Sequence, residues 1–182
     1  MALKSTIYKA KLTVANLNIH HYHDYNLTIA KHPSETNLRM MYRIIVFSLI
    51  CQEQLEFTKG LSTDTEPDLW KINYDGSIEH WIELGHPDER RVRQMCAKAS
   101  KVSIYTYQDN TSLAWFKSSE DQMQRFNHLR VTHLFIKDGQ NIEDLVKRGM
   151  NFSITIEDDE LWISDESTRI NLEFKNVLNF KN

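Results

Sequence analysis

Residues 56–101 read EFTKGLSTDTEPDLWKINYDGSIEHWIELGHPDERRVRQMCAKASK, and their order of patterns decides the fold. Pro67-Asp68 opens a β-like run to Tyr74. Asp75-Gly76 is a hairpin-turn dipeptide, and Ile78–Leu84 is a second, more apolar run. Pro87-Asp88-Glu89 then starts a helix over residues 88–99, with proline near its first position and acids in its first turn. Val92, Met95, Cys96 and Ala99 recur at i, i+3, i+4 and i+7, the spacing of a buried face. Arg91, Gln94 and Lys98 share another face. Asp68 and Glu83 thus fall on neighbouring strands beside a basic helix. Two carboxylates so placed can share a divalent cation, and such a cation is equipment for phosphodiester hydrolysis.

Working outward, Lys101–Tyr107 (KVSIYTY) is β-branched and aromatic, a core strand. Before residue 56, Pro33-Ser34-Glu35 opens a helix over Ser34–Gln54, with Ser34 as its N-cap and Glu35 in its first turn. Met40, Met41, Ile44, Ile45, Val46, Phe47, Leu49 and Ile50 nearly ring its second half, which predicts a central, covered helix. Glu35, Arg39 and Arg43 recur at i, i+4 and i+8 and form one polar stripe. Residues 5–14 and 21–31 predict a hairpin turning near Asn16–Asn18. Downstream, Ser119–Arg125 reads as helix, Leu129–Ile136 as strand and Asn141–Arg148 as a short helix. Residues 150–175 read as two or three antiparallel strands with acidic turns at 157–160 and 164–167. The fold class is α+β or α/β, in one domain spanning 1–182.

The composition is 41% hydrophobic and 26% charged with a net charge of −3, which argues against a globally basic nucleic-acid-binding surface. A local basic patch remains compatible with that sum. The two cysteines, Cys51 and Cys96, fall on apolar helix faces and read as buried thiols. Residues 1–20 hold no long apolar run, and Ile44–Ile50 is too short to span a bilayer. The expectation is a cytoplasmic protein without a membrane segment, for which the sequons at Asn26 and Asn151 carry no glycan.

The blocks MALKSTIYKA, LTIAKHPSET, LEFTKGLSTDTEPDLW, WIELGHPDERR and IYTY resemble the YaeQ family of small bacterial proteins along nearly the whole chain. That family is described as a variant of the PD-(D/E)XK nuclease fold. The resemblance implies a mixed β-sheet flanked by helices, with an αβββαβ restriction-endonuclease-like core plus added N- and C-terminal β-strands. It also implies that Asp68, after Pro67, and Glu83 are catalytic and hold a magnesium ion. The lysine position of the (D/E)XK motif is Gly85, a departure from the nuclease superfamily's pattern. Lys98 on the following helix is one candidate for the missing cation and Lys59 another. Glu35 is a candidate third metal ligand. Arg91, Gln94 and Arg39 are candidates for binding phosphate, with nucleic acid as the expected partner. The alternative reading is a protein that kept the fold, lost catalysis and acts as a binding or regulatory module.

Each residue also has a plainer reading. Asp68 reads equally as a turn-facing acid, and Glu83 as half of a structural ion pair with Arg39 or Arg91. Arg90, Arg91 and Arg93 read as a solvated helix face. His20, His21 and His23 read as surface histidines, because no matched Cys or His pair completes a zinc site. His86 follows the Glu83 strand and either faces the same cleft or simply enters the helix. Glu157-Asp158-Asp159-Glu160 reads as a solvated hairpin tip.

Overall fold

The computed structural model describes residues 4–58, 65–137 and 139–181. The chain begins with an antiparallel hairpin, β1 (Thr6–Asn16) and β2 (His21–Lys31), turning through a short 3-10 segment at Leu17–Ile19. The helix α1 (Asn37–Ile50) follows, then β3 (Leu55–Phe57), β4 (Leu69–Ile72), β5 (Ile78–Leu84), α2 (Glu89–Lys98) and β6 (Ala99–Thr106). Next come α3 (Asp109–Met123), β7 (Leu129–Ile136), β8 (Gly149–Glu157), β9 (Glu160–Ser164) and β10 (Arg169–Leu178). These strands form one mixed sheet in the order β2-β1-β8-β9-β10-β7-β6-β5-β4-β3. The β5–β6 and β6–β7 pairs are parallel, as crossovers through α2 and α3 require, and β1–β8 is parallel as well.

The sheet is covered on both sides. Met40, Met41, Ile44, Ile45 and Val46 of α1 are fully buried in a core that draws on β1, β8, β9 and β10 from one half of the sheet and β4 and β5 from the other. A helix enclosed this way explains why its second half is apolar nearly all round. On the opposite face, Val92, Met95 and Cys96 of α2 and Met123 of α3 pack on Trp81, Val102, Ile104, Leu129 and Val131. The periodic face predicted for α2 is the one buried.

Several boundaries differ from expectation. Thr36, not Ser34, caps α1: its Oγ1 accepts from the Arg39 N–H at 3.1 Å. Ser34 instead bonds the His32 ring at 2.6 Å. Glu35 therefore precedes the helix rather than occupying its first turn. The helix stops at Ile50, because Cys51 and Gln54 adopt left-handed backbone (φ 39° and 62°). In α2 the N-cap is Asp88, whose carboxylate accepts from the Arg91 N–H at 2.7 Å, so Pro87 stands outside the helix. The helix expected over 119–125 starts ten residues earlier, at Asp109. Residues 109–112 are weak helix formers in an interior but suit a first turn. The segment 141–148 forms only a 3-10 turn, Ile142–Leu145, whose Ile142 and Leu145 are buried in the α1 core. Both cysteines are free and buried.

Candidate active site

Asp68 stands immediately before β4, its N–H donating to the Ile82 carbonyl at 3.0 Å. Its Oδ2 accepts from the Leu84 N–H at 2.8 Å, and its Oδ1 lies 2.6 Å from Arg39 Nη2. The carboxylate is buried, yet Oδ1 has an ion-pair contact without an aligned hydrogen bond. Near the end of β5, Glu83 takes a two-pronged grip from Arg91: Nε to Oε1 at 3.0 Å and Nη2 to Oε2 at 3.1 Å. Trp81 Nε1 also donates to Oε2 at 2.9 Å. Such charge-assisted, bidentate pairing fixes the plane of the carboxylate as well as its position. Arg91 further donates to the Glu66 carbonyl at 2.7 Å and lies 5.0 Å from the Trp81 ring centroid.

Burial pushes the Glu83 carboxyl above its ordinary value; the Arg91 hydrogen bonds oppose that shift and the nearby Asp68 charge adds to it. Burial works against the Arg39 cation, but Asp68 and Glu35 outweigh it and hold the guanidinium above its usual value. Asp68 and Glu83 thus border a common space, each held by its own arginine.

That space is an open cleft of about 740 Å³ whose walls include Arg39, Glu66, Asp68, Glu83, His86, Arg90, Arg91 and Gln94. The structure therefore brings together Asp68, Glu83, Arg39, Arg91 and Gln94. Lys98 is exposed and is absent from these walls; its ammonium lies 5.9 Å from the Trp81 ring centroid. Lys59 lies outside the described residues. Glu35 is buried beside the cleft, bound by Arg43 at 3.0 Å and Arg39 at 3.3 Å. Among the described residues no three His, Cys, Asp or Glu side chains cluster as a metal-binding group, so Glu35 does not complete a three-acid set with Asp68 and Glu83. Asp68 and Glu83 offer hard oxygen donors, and magnesium commonly takes one or two carboxylates and keeps its remaining ligands as water. The buried Oδ1 of Asp68, short of an aligned donor, fits that role.

Gly85 explains the departure at the lysine position. It has φ +104°, and its N–H donates to the Tyr105 carbonyl at 2.9 Å. A side chain there meets nothing within 4 Å, so backbone strain rather than crowding selects glycine. His86, the next residue, lines the cleft with Nε2 2.9 Å from the Ser112 hydroxyl. Ser112 was not singled out from sequence, since its contact depends on where α3 begins.

The remaining candidates lie elsewhere. His21 bonds the Tyr25 hydroxyl at 2.7 Å, and the His23 ring packs edge-on against Tyr25. The 157–160 turn is clipped to the first hairpin by Asn18, which bonds both the Asp158 carbonyl (2.9 Å) and the Asp158 N–H (2.8 Å). No helix among the described residues is long and apolar enough to cross a membrane.

The family model for YaeQ protein matches residues 1–174. The uncharacterized protein YaeQ of Escherichia coli (strain K12) is 38% identical over 170 residues, covering 93% of this chain and 94% of that protein. The uncharacterized protein YaeQ of Salmonella typhi is 41% identical over 177 residues, covering 96% of each. The crystal structure of YaeQ protein from Xanthomonas axonopodis pv. citri superposes with a TM-score of 0.92 at 34% identity, over 96% of this chain and 99% of that one. The crystal structure of YaeQ protein from Pseudomonas syringae superposes at 0.88 with 26% identity, over 98% of both chains.

Proposed function

This chain belongs to the YaeQ family, and from that premise we propose that it is a magnesium-dependent phosphodiesterase acting on nucleic acid in the cytoplasm. The observation that carries the reading is the meeting of buried Asp68 and half-buried Glu83 in one cleft whose walls also bear Arg39, Arg90 and Arg91. The succession α1, β3, β4, β5, α2, β6 supports reading this part of the chain as the αβββαβ core of a PD-(D/E)XK nuclease.

Asp68 and Glu83 would hold the metal, which when bound polarises a phosphoryl oxygen and acidifies water at neutral pH. The chain's own residues do the rest. The Leu84 N–H fixes one Asp68 oxygen, and the other, paired with Arg39, is the one a cation would share. Arg39 and Arg91 are held as fixed positive charges where a phosphate enters, a role in which preorganisation matters more than proton transfer. They take the place of the lysine that Gly85 cannot provide, because neither Lys98 nor any other lysine described here lines the cleft.

One observation favours the second reading, a binding module without catalysis. Both acids already carry an arginine in the free protein, so a metal must compete with those ion pairs. Calorimetry with magnesium and manganese separates the two, comparing wild type with the Asp68→Asn, Glu83→Gln double variant. Binding that vanishes in the variant, with metal-dependent cleavage of an oligonucleotide, supports the hydrolase. Metal binding without cleavage, or no metal binding in wild type, overturns it in favour of the binding module.

A further inference from the structure

Three residues before Glu83 on the same strand, and on the other side of the sheet, three strands gather cations around the His80 ring of β5. Lys71 of β4 is in register with His80 of β5, and His80 with Lys101 of β6. Two residues on, Ser103 is in register with Arg130 of β7. Strand alternation puts all five side chains on one face. The His80 ring confirms the placement, with Nε2 2.8 Å from the Ser103 hydroxyl. Lys101 Nζ and the Arg130 guanidinium lie 4.8 and 4.2 Å from the centroid of one ring, Phe180.

The charges do not balance. Glu79 pairs with Lys71 at 3.0 Å, and among the described residues neither Lys101 nor Arg130 has a carboxylate partner. Both are half-buried. Two buried nitrogens in the group also lack a hydrogen-bond partner, His80 Nδ1 and Arg130 Nε. The Arg130 Nε carries a proton at any working pH, so it is a donor without an acceptor. His80 is 3% exposed, and when the Ser103 hydroxyl donates to Nε2 its Nδ1–H is a second such donor. Burying unpaired donors among like charges is costly. An acidic chain that nevertheless concentrates cations on one sheet face has a local field suited to an anion.

We infer that Lys71, Lys101 and Arg130, with His80 and Ser103 beneath them, form a binding site for a doubly charged phosphate group, separate from the Asp68–Glu83 cleft. Among the described residues Lys101 and Arg130 have no ion-pair partner, which suits a dianion, and their half-buried cationic heads supply charge-assisted hydrogen bonds that phosphate oxygens accept. Burial holds the Lys101 ammonium below its ordinary value, with Arg130 and Lys71 adding to the shift and Glu79 opposing it. Inorganic phosphate and a phosphomonoester share this chemistry. The inference stands independently of the hydrolase reading.

The test is calorimetry of the full chain at low ionic strength with inorganic phosphate and, separately, a nucleoside monophosphate. Wild type binds at least one of them. Lys101→Met and Arg130→Met each weaken binding by ~tenfold or more, as expected for loss of a charge-assisted contact. Lys71→Met, which removes the cation already paired with Glu79, weakens it less. Lys98→Met, an exposed cation outside both this group and the cleft, leaves it unchanged. Equal binding of both probes identifies free phosphate as the source, and clearly tighter binding of the monophosphate identifies a phosphomonoester; either supports the site. Absence of binding in wild type overturns it. So does binding that survives Lys71→Met and Lys101→Met but is lost in Arg91→Gln, which would put the anion in the cleft.

Discussion

Glu35→Gln tests the buried ion pair that ties α1 to the cleft. The Glu35 and Arg43 side chains are 1% and 0% exposed, and their closest atoms are 3.0 Å apart. Both carboxylate oxygens accept from Arg43 Nη1, and Arg43 is otherwise held by the Ala30 and Thr58 carbonyls at 3.3 and 3.4 Å. Neutralising Glu35 leaves a guanidinium in the protein interior with only dipoles around it. Breaking a buried pair this way costs ~3–5 kcal/mol. The lower end applies here, since glutamine keeps one acceptor and two carbonyls remain. For a chain of this size the melting temperature should fall by roughly 6–12 °C. Urea denaturation with an unchanged m-value is the assay. A Glu35→Leu, Arg43→Met double variant, which removes both charges, should be less destabilised than Glu35→Gln alone. A loss below ~1 kcal/mol in Glu35→Gln would refute the claim that Arg43 depends on a buried counter-charge.

Gly85→Ala should destabilise by ~1–2 kcal/mol through positive-φ strain, since its Cβ meets no neighbour within 4 Å; an unchanged denaturation midpoint would contradict this. Thr36→Ala should cost ~0.5–2 kcal/mol by removing the α1 cap, and Ser34→Ala should cost less; equal losses would return the cap to Ser34. Burial, with Lys101, Arg130 and Lys71 adding, pulls the His80 imidazole from 6.5 down to about 3. Its unfolded form therefore binds the proton first. The stability it contributes is complete above the ordinary value and is lost as pH falls from there through about 3. Stepwise acid titration of wild type against His80→Asn should show a shallower loss in the variant, and parallel curves would exclude the mechanism.

Local pattern alone carried much of this protein. The β5 and β7 boundaries, the Gly76 turn and the buried stripe of α2 follow from periodicity and turn chemistry, which act over a few neighbouring residues. That Asp68 and Glu83 lie on neighbouring strands follows as well, but their exact alignment does not, because a bulge between Lys71 and Ile72 shifts the register set at the turn by one residue. Helix ends were less legible. Ser34 and Thr36 are both competent caps, and the choice went to Thr36 once His32 engaged Ser34. The start of α3 was hidden because its first turn is written in residues that also favour loops.

Which cation serves which acid was beyond the sequence. Arg39, Arg91 and Lys98 all lie on helices beside the hairpin, but only packing shows Arg39 on Asp68, Arg91 on Glu83 and Lys98 turned to the Trp81 ring. The row from Lys71 to Arg130 depends on pairing among four strands spread over sixty residues of chain. A sequence fixes which face a side chain takes on its own strand. The register between strands, decided by how α1 and α2 fill the two sides of the sheet, determines which charges become neighbours.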